Sequence, residues 1–264
     1  MNTKEQQVIR NMKIYEIFFS PTGGTKQVAD ILAKAWQQEV IEIDLSASEN
    51  VLDKMIEKDS LCIIAAPVFG GRIPEIAVSM LHRLKGNQAK AVVIAVYGNR
   101  AYEDALLELK NTAEAVGFHT IAGISAIAEH SIMHCYGKNR PDQNDCAQLL
   151  TFVEQIKQNF HNEGKLSIPG NYPYKEYKIL PMIPIVSNAC TQCGLCAAKC
   201  PVHAISKDYP QATSSDQCIS CMRCIAICPS HARFLEPKSL IKITQKLASV
   251  CSERKANTLY LRER

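Results

Sequence analysis

The sequence predicts an α/β fold: a doubly wound, five-stranded parallel sheet followed by a small α+β module rich in cysteine. Two observations predict it. Strand-like and helix-like stretches alternate over residues 13–162, the pattern of a parallel sheet with helices on both faces. Residues 187–236 then contain a cysteine pattern repeated at an offset of 28 residues, Cys190 to Cys218.

The elements follow in order. KIYEIFF, from Lys13, reads as the first strand. Thr25 to Gln38 reads as a helix, with Val28, Ala29, Ile31, Leu32 and Ala35 at helical spacing. VIEIDL is the second strand, and residues 46–58 give a weaker helix. LCIIAAP, continuously apolar, is a buried third strand. IPEIAVSMLHRL is a helix with Pro74 expected in its first turn. KAVVIAV is the fourth strand. AYEDALLELKNTAEAVG is a helix closed by Gly117 just past its end. HTIAGISAIA is the fifth strand and DQNDCAQLLTFVEQIKQNF the last helix of this part. A ligand site is expected beyond the carboxyl ends of the strands, where the strand order reverses.

Residues 163–186 form a connector in which prolines and glycines break any regular period. Its Tyr and Ile residues suit packing on a neighbour. Residues 237–264 read as a C-terminal basic helix, with Leu240, Ile243, Leu247 and Val250 on one stripe.

Composition bounds the chemistry. The net charge of +4 is too small to argue for nucleic acid, and no membrane span or secretory signal is read, so a cytoplasmic location is expected. Residues 237–264 hold seven Lys/Arg against two acids. That tail reads first as a solvated face, second as a docking surface for an acidic redox partner; it would equally serve a homodimer. Twelve cysteines without a secretory signal point to metal or redox chemistry before disulfides.

CTQCGLCAAKCPVHAI and CISCMRCIAICPSHAR each read C-x2-C-x2-C-x3-C-P. Thiolates are soft ligands for iron–sulfur clusters or zinc. Structural zinc modules space two C-x2-C pairs by a longer gap, which two tandem four-cysteine runs do not match. Residues 187–236 resemble the bacterial two-cluster ferredoxins. The resemblance implies two [4Fe–4S] clusters, one on Cys190, Cys193, Cys196 and Cys228, the other on Cys218, Cys221, Cys224 and Cys200. One departure stands out. The first run has Gly194 where the second has Met222, costly if the backbone there needs a positive φ. Cys62 reads as a buried apolar residue, Cys146 and Cys251 carry no assigned role, and Cys135 shares a loop with His130 and His134.

The stretch FSPTGGTKQVAD, ending at Asp30, joins the first strand to its helix. It lacks the lysine and glycine spacing of a triphosphate loop and the G-x-G-x-x-G of a dinucleotide fold. Hydroxyls at Ser20, Thr22 and Thr25, with Gly23 and Gly24 to turn backbone N–H groups inward, suit one phosphate monoester. This loop and the five-strand pattern resemble the flavodoxins, which implies strand order 2-1-3-4-5 and a bound flavin mononucleotide (FMN). The resemblance further implies that Pro67, Val68, Phe69, Gly70 and Gly71 bracket one side of the flavin. Tyr97, Gly98, Asn99, Arg100, Tyr102 and Asp104 would cover the other edge. Nearly the whole chain resembles bacterial fusions of a flavodoxin-like domain to a two-cluster ferredoxin.

The leading expectation is an electron-transfer protein passing electrons between FMN, two [4Fe–4S] clusters and an external redox partner, with no catalytic acid or base. One alternative is an FMN-dependent reductase of a small oxidised substrate, with Tyr97, Tyr102, His130 and His134 as candidate proton donors. Another is a redox sensor or partner-binding module using the basic tail.

Overall fold

The computed structural model describes residues 12–47, 54–178 and 180–263. Its first part is built from β1 (Ile14–Phe18), α1 (Gly24–Lys34), β2 (Val40–Asp44), β3 (Leu61–Pro67), α2 (Glu75–Leu81), β4 (Lys90–Tyr97), α3 (Ala105–Ala115), β5 (His119–Ile127) and α4 (Gln143–Asn159). The strands run parallel in the order β2-β1-β3-β4-β5. This is the flavodoxin-like order, and it reverses between β1 and β3.

Local chemistry sets the element ends. Helix α1 stops at Lys34, four residues short of the expected Gln38; Gln37 lies at φ 56, outside helical geometry. Pro74 precedes α2 as its N-cap at ψ 130, one place before the first turn where the sequence put it. Gly117 at φ 92 closes α3: its N–H bonds Glu114 O and the Phe118 N–H bonds Ala113 O. That is the paired C-terminal arrangement a glycine allows. Asp142 caps α4, accepting from Asn144 and Asp145 N–H while Asp145 reaches back. Residues 48–53 of the weak helix expected over 46–58 lie outside the described residues. Within 54–58 there is no helix, only a bridge from Met55 to Lys85.

The sheet is buried on both faces. Ile14, Phe18, Leu61, Ile63, Val92, Ile94, Ile124 and Leu149 form one apolar cluster. Ile17, Phe19, Ile64, Ile73, Leu81, Val93, Leu106 and Leu109 form the other. Alternate strand residues point to opposite faces, so continuous apolar strands feed both.

The second part contains β6 (Ile185–Val186), α5 (Leu195–Ala198), α6 (Arg223–Ala226), β7 (Arg233–Phe234), α7 (Pro237–Cys251) and β8 (Thr258–Leu261). β6 and β7 pair antiparallel. The 28-residue repeat is a repeat of conformation. Gln192 and Ser220, Gly194 and Met222, and His203 and His231 all have positive φ.

The expected basic helix over 237–264 is corrected here. The helix ends at Cys251, and Thr258–Leu261 forms β8, an antiparallel sixth strand on β5. The reason is a free edge. Without β8, β5 would present an unpaired row of backbone groups. Asn257 steers the chain there, its Oδ1 accepting the Ile127 N–H at 2.9 Å and its Nδ2 donating to Asp145 and Gln148. Leu259 and Leu261 then join one sheet cluster, while Tyr260 joins the other.

A third apolar cluster holds the two parts together. Ile132, Met133 and Tyr136 follow β5; Met182 comes from the connector, Met222 and Leu235 from the cysteine-rich module, and Cys251 from α7. The connector is tied down by Asp104, whose carboxylate accepts the Asn171 and Lys175 N–H groups at 2.8 and 2.7 Å. Among the described residues no helix is long and apolar enough to cross a membrane.

Candidate functional site

The reversal of strand order opens a notch at the carboxyl ends of β1 and β3, and the glycine loop enters it. Gly23, at φ 94, is the N-cap of α1; it offers no side chain to cap the helix, and the first turn carries no acid. The positive end of α1 therefore meets no acid from its own first turn, which favours an anion there. Thr22, Gly24 and Thr25 line a cavity of about 60 Å³ there, together with Pro67, Val68, Phe69, Tyr97 and Gly98. Ser20 does something different. Its Oγ accepts the Lys26 N–H at 2.9 Å, fixing the loop's shape. Of the expected phosphate residues, Thr22, Gly24 and Thr25 line the cavity; Ser20 and Gly23 shape the turn.

A second cavity of about 400 Å³ shares Val68, Phe69, Tyr97, Gly98, His130 and Ser131 with the first. Gly70, Gly71 and Arg100 line it as well. Gly71 is favoured by its backbone, at φ 92, and a Cβ there would fall against the Glu103 side chain. At Gly98 a Cβ would lie 2.6 Å from the His130 ring. His130 thus closes over the β4 loop. Its Nδ1 accepts the Ile132 and Met133 N–H groups at 3.1 and 3.2 Å, so the ring proton sits on Nε2. Burial pushes its pKa down to about 4, so the ring is neutral near pH 7. Burial pushes the Tyr97 phenol up to about 12, which keeps its proton in place.

Three expected flavin residues line neither cavity. Asn99 is buried with its side chain turned to the C-terminal segment, donating to Cys251 O and Glu253 O at 2.6 and 2.8 Å. Tyr102 shares a 2.6 Å hydroxyl contact with Tyr260 of β8. Asp104 holds the connector. Each is consumed by a segment more than 60 residues away in sequence, which the local motif does not reveal. His134 is exposed and pairs with Glu129; it lines neither cavity.

The remaining walls come from those distant segments. The connector contributes Lys175, Lys178, Leu180 and Pro181; α7 contributes Ile243, Lys246 and Leu247; the cysteine-rich module contributes Ile219 and Ser220 to the larger cavity and Cys221 to the smaller. The larger cavity is lined by four cations and no acid: Arg100, Lys175, Lys178 and Lys246. Arg223 adds to the contact. Its guanidinium donates to Pro21 O and Ser46 O at 3.3 and 3.4 Å and lies 3.7 Å from the Asp44 carboxylate. The sequence carried one hint of this wall, Met222 in place of glycine.

The eight cysteines divide into two cavities that share no cysteine. Cys190, Cys193, Cys196 and Cys228 line one. Cys200, Cys218, Cys221 and Cys224 line the other. In each, the fourth cysteine of one run joins three from the other run, the crossed arrangement of a two-cluster fold. The Ala204 and Ala232 N–H groups, at equivalent places in the repeat, each lie 3.3 Å from Cys200 and Cys228 Sγ. Burial pushes the Cys221 and Cys224 thiols up, to about 12 and about 11. Buried thiols so arranged need a cation or a cluster to ionise them. The donor set, all sulfur and four to a cavity, fits iron–sulfur clusters.

Residues 182–229 match the 4Fe-4S dicluster domain family. The dicluster domain therefore follows a flavodoxin-like domain in this chain. No curated protein matches it. A flavodoxin from Streptococcus pneumoniae TIGR4 is similar over 55% of this chain and 98% of its own, at 18% identity and TM-score 0.39. Flavodoxin 1 from Bacillus cereus is similar over 55% and 97%, at 18% identity and TM-score 0.38. The rubredoxin oxygen:oxidoreductase of Desulfovibrio gigas is similar over 59% of this chain, which spans 37% of it, at 16% identity and TM-score 0.40. It is the chain's own strand order that makes the N-terminal domain flavodoxin-like. The other four cysteines stand apart: Cys62 and Cys251 are buried, Cys135 exposed and Cys146 half-buried.

Proposed function

We propose that this chain is an electron-transfer protein that joins FMN to two [4Fe–4S] clusters and exchanges electrons with an external redox partner. One observation carries the reading: Cys221, a ligand of one quartet, lines the same cavity as Thr22, Thr25, Phe69 and Tyr97. In this reading a cluster ligand stands at the wall of the flavin site. FMN would exchange one or two electrons and each cluster one, so their union connects a two-electron couple to a one-electron chain.

The protein's task is then to bind, space and exclude water. Thr22, Gly24, Thr25 and the start of α1 would hold the phosphate. Phe69 and Tyr97 would flank the ring, with His130 supplying a neutral Nε2–H donor beside it. Arg223 and Met222 fix the Cys218–Cys224 loop against the flavodoxin-like domain. The quartet of Cys200, Cys218, Cys221 and Cys224 is thus the inner one. The cavity of the other quartet touches no flavodoxin-like loop, and its Cys193 and Leu195 are exposed, which suits electron entry from outside. Exposed Lys238, Ile241 and Lys242 on α7 suit a partner with an acidic surface.

A second reading has an observation of its own. The larger cavity has an apolar floor and four cations in its wall; Arg100 and Lys175 pair with Glu103 and Lys178 with Glu176, which leaves Lys246 to attract a small organic anion reduced beside the flavin.

Anaerobic purification with iron, sulfide and flavin quantitation tests the proposal. About eight iron and one FMN per chain are expected. Thr25→Glu should lose flavin and keep iron, since it places an anion where the phosphate sits. Cys196→Ser should lose one cluster and spare flavin. Loss of all cofactors together in either variant would overturn the two-site arrangement, and so would clusters that never exchange electrons with the flavin in stopped flow.

A further inference from the structure

The dicluster repeat is broken at one buried position. Arg233, on β7, is 3% exposed, while its counterpart 28 residues earlier is Ile205, equally buried. No ion pair among the described residues includes Arg233. Its guanidinium makes two hydrogen bonds to protein, Nη1 to Thr213 Oγ1 at 2.9 Å and Nη2 to Pro210 O. Arginine carries five side-chain N–H donors in a fixed fork, so most of this fork is left to something else.

A buried charge without a counter-charge is strongly disfavoured, and arginine does not escape by losing its proton. The surroundings show where the counter-charge belongs. Arg233 lines the cavity of Cys190, Cys193, Cys196 and Cys228. Pro210, whose carbonyl accepts from Arg233, lines the same cavity and lies 3.9 Å from Cys196 Sγ, so the guanidinium faces this quartet. A cluster ligated by four thiolates is an anion, and it gains further negative charge on reduction.

We propose that Arg233 is a fixed counter-charge to the cluster held by Cys190, Cys193, Cys196 and Cys228, which raises its reduction potential. The inference rests on the cluster reading above. Each cluster takes up one electron with no bond made or broken, and the guanidinium favours that added charge without moving a proton. Arg233 is thus a positioning and tuning residue, and no ligand of the iron.

Arg233→Gln and Arg233→Lys separate charge from shape. Glutamine retains a donor toward Pro210 O but removes the charge; lysine retains the charge but loses the fork. Both variants and the full wild-type chain are purified anaerobically, their iron is quantified, and their clusters are titrated with dithionite under potentiometric control, read by electron paramagnetic resonance. Arg233→Gln should make reduction at least tenfold less favourable at that cluster, a fall of about 59 mV for a one-electron couple. Arg233→Lys should fall by less than half as much. Full iron with Gln potentials within threefold of wild type overturns the proposal, as do equal shifts in Gln and Lys. If Gln loses its iron, Lys decides: retained iron with near-native potentials supports the proposal, and folded chain without iron shows a structural role and overturns it. A wild-type chain without iron overturns the cluster reading itself, and the proposal with it.

Discussion

Replacing Met222 by glycine should harm this protein less than replacing it by alanine, against the usual ranking of the two. Met222 sits at φ 63, ψ 5, the left-handed region, and its side chain is 3% exposed within the apolar cluster that joins the two domains. Holding a side-chain-bearing residue there costs about 1–2 kcal/mol. Removing a buried methionine side chain costs about 2–5 kcal/mol. Alanine loses the packing and keeps the strain. Glycine loses the same packing but relieves the strain, less some of the relief to the greater freedom of the unfolded chain. Both variants should therefore be less stable than wild type, with glycine about 1 kcal/mol better than alanine. The reciprocal Gly194→Met, at φ 74 where a Cβ meets nothing within 4 Å, adds strain with no contact at the Cβ and should cost about 1 kcal/mol. Anaerobic urea unfolding followed by cluster absorbance measures these differences. At roughly 2 kcal/mol per molar urea, 1 kcal/mol moves the midpoint by about 0.5 M. Alanine matching or exceeding glycine would refute the strain account, and a Met222→Gly more stable than wild type would refute the packing account.

Two further outcomes are expected. His130 has its pKa lowered by burial from 6.5 to about 4. Between those values the unfolded chain binds more protons than the folded one, so stability is full above pH 6.5 and is lost as pH falls toward 4. Acidification from pH 7.5 to 5.5 should cost at most roughly 1.4 kcal/mol, seen in urea midpoints, and His130→Asn should flatten that slope; an unchanged slope would place the titration elsewhere. Asn257→Leu should strand the Ile127 N–H, costing about 1–3 kcal/mol, and should speed amide exchange along β8. A loss under about 1 kcal/mol would show that β8 does not depend on Asn257.

The residues explain which parts could be read in advance. Val92, Val93 and Ile94 are apolar on both sides of the strand, so β4 announces itself as buried, and the crossovers then force parallel order. The cysteine runs stand out by their spacing, while their crossed assignment came from the resemblance to two-cluster ferredoxins. Gly23 and Thr25 mark the turn between β1 and α1 because the constraint there is local. Asn99, Tyr102 and Asp104 look local too, standing in a loop after β4. Their partners, Cys251 O, Tyr260 and the Asn171 N–H, come from distant chain, and no short-range pattern records that. The strand at Thr258–Leu261 was hidden likewise. Its four residues gain their hydrogen bonds only from β5.

The sequence by itself determined a parallel sheet with a glycine turn after its first strand, and eight thiols in two equally spaced runs. Those features follow from backbone geometry and residue spacing over short stretches. Only the tertiary structure decided how the two parts meet. It set Cys221 in the wall of the cavity beside the glycine loop, turned Arg233 toward Cys190, Cys193, Cys196 and Cys228, and brought the C-terminal strand back to the sheet edge. Each depends on packing between segments far apart in the chain, where burial and unsatisfied backbone groups are balanced across the whole molecule.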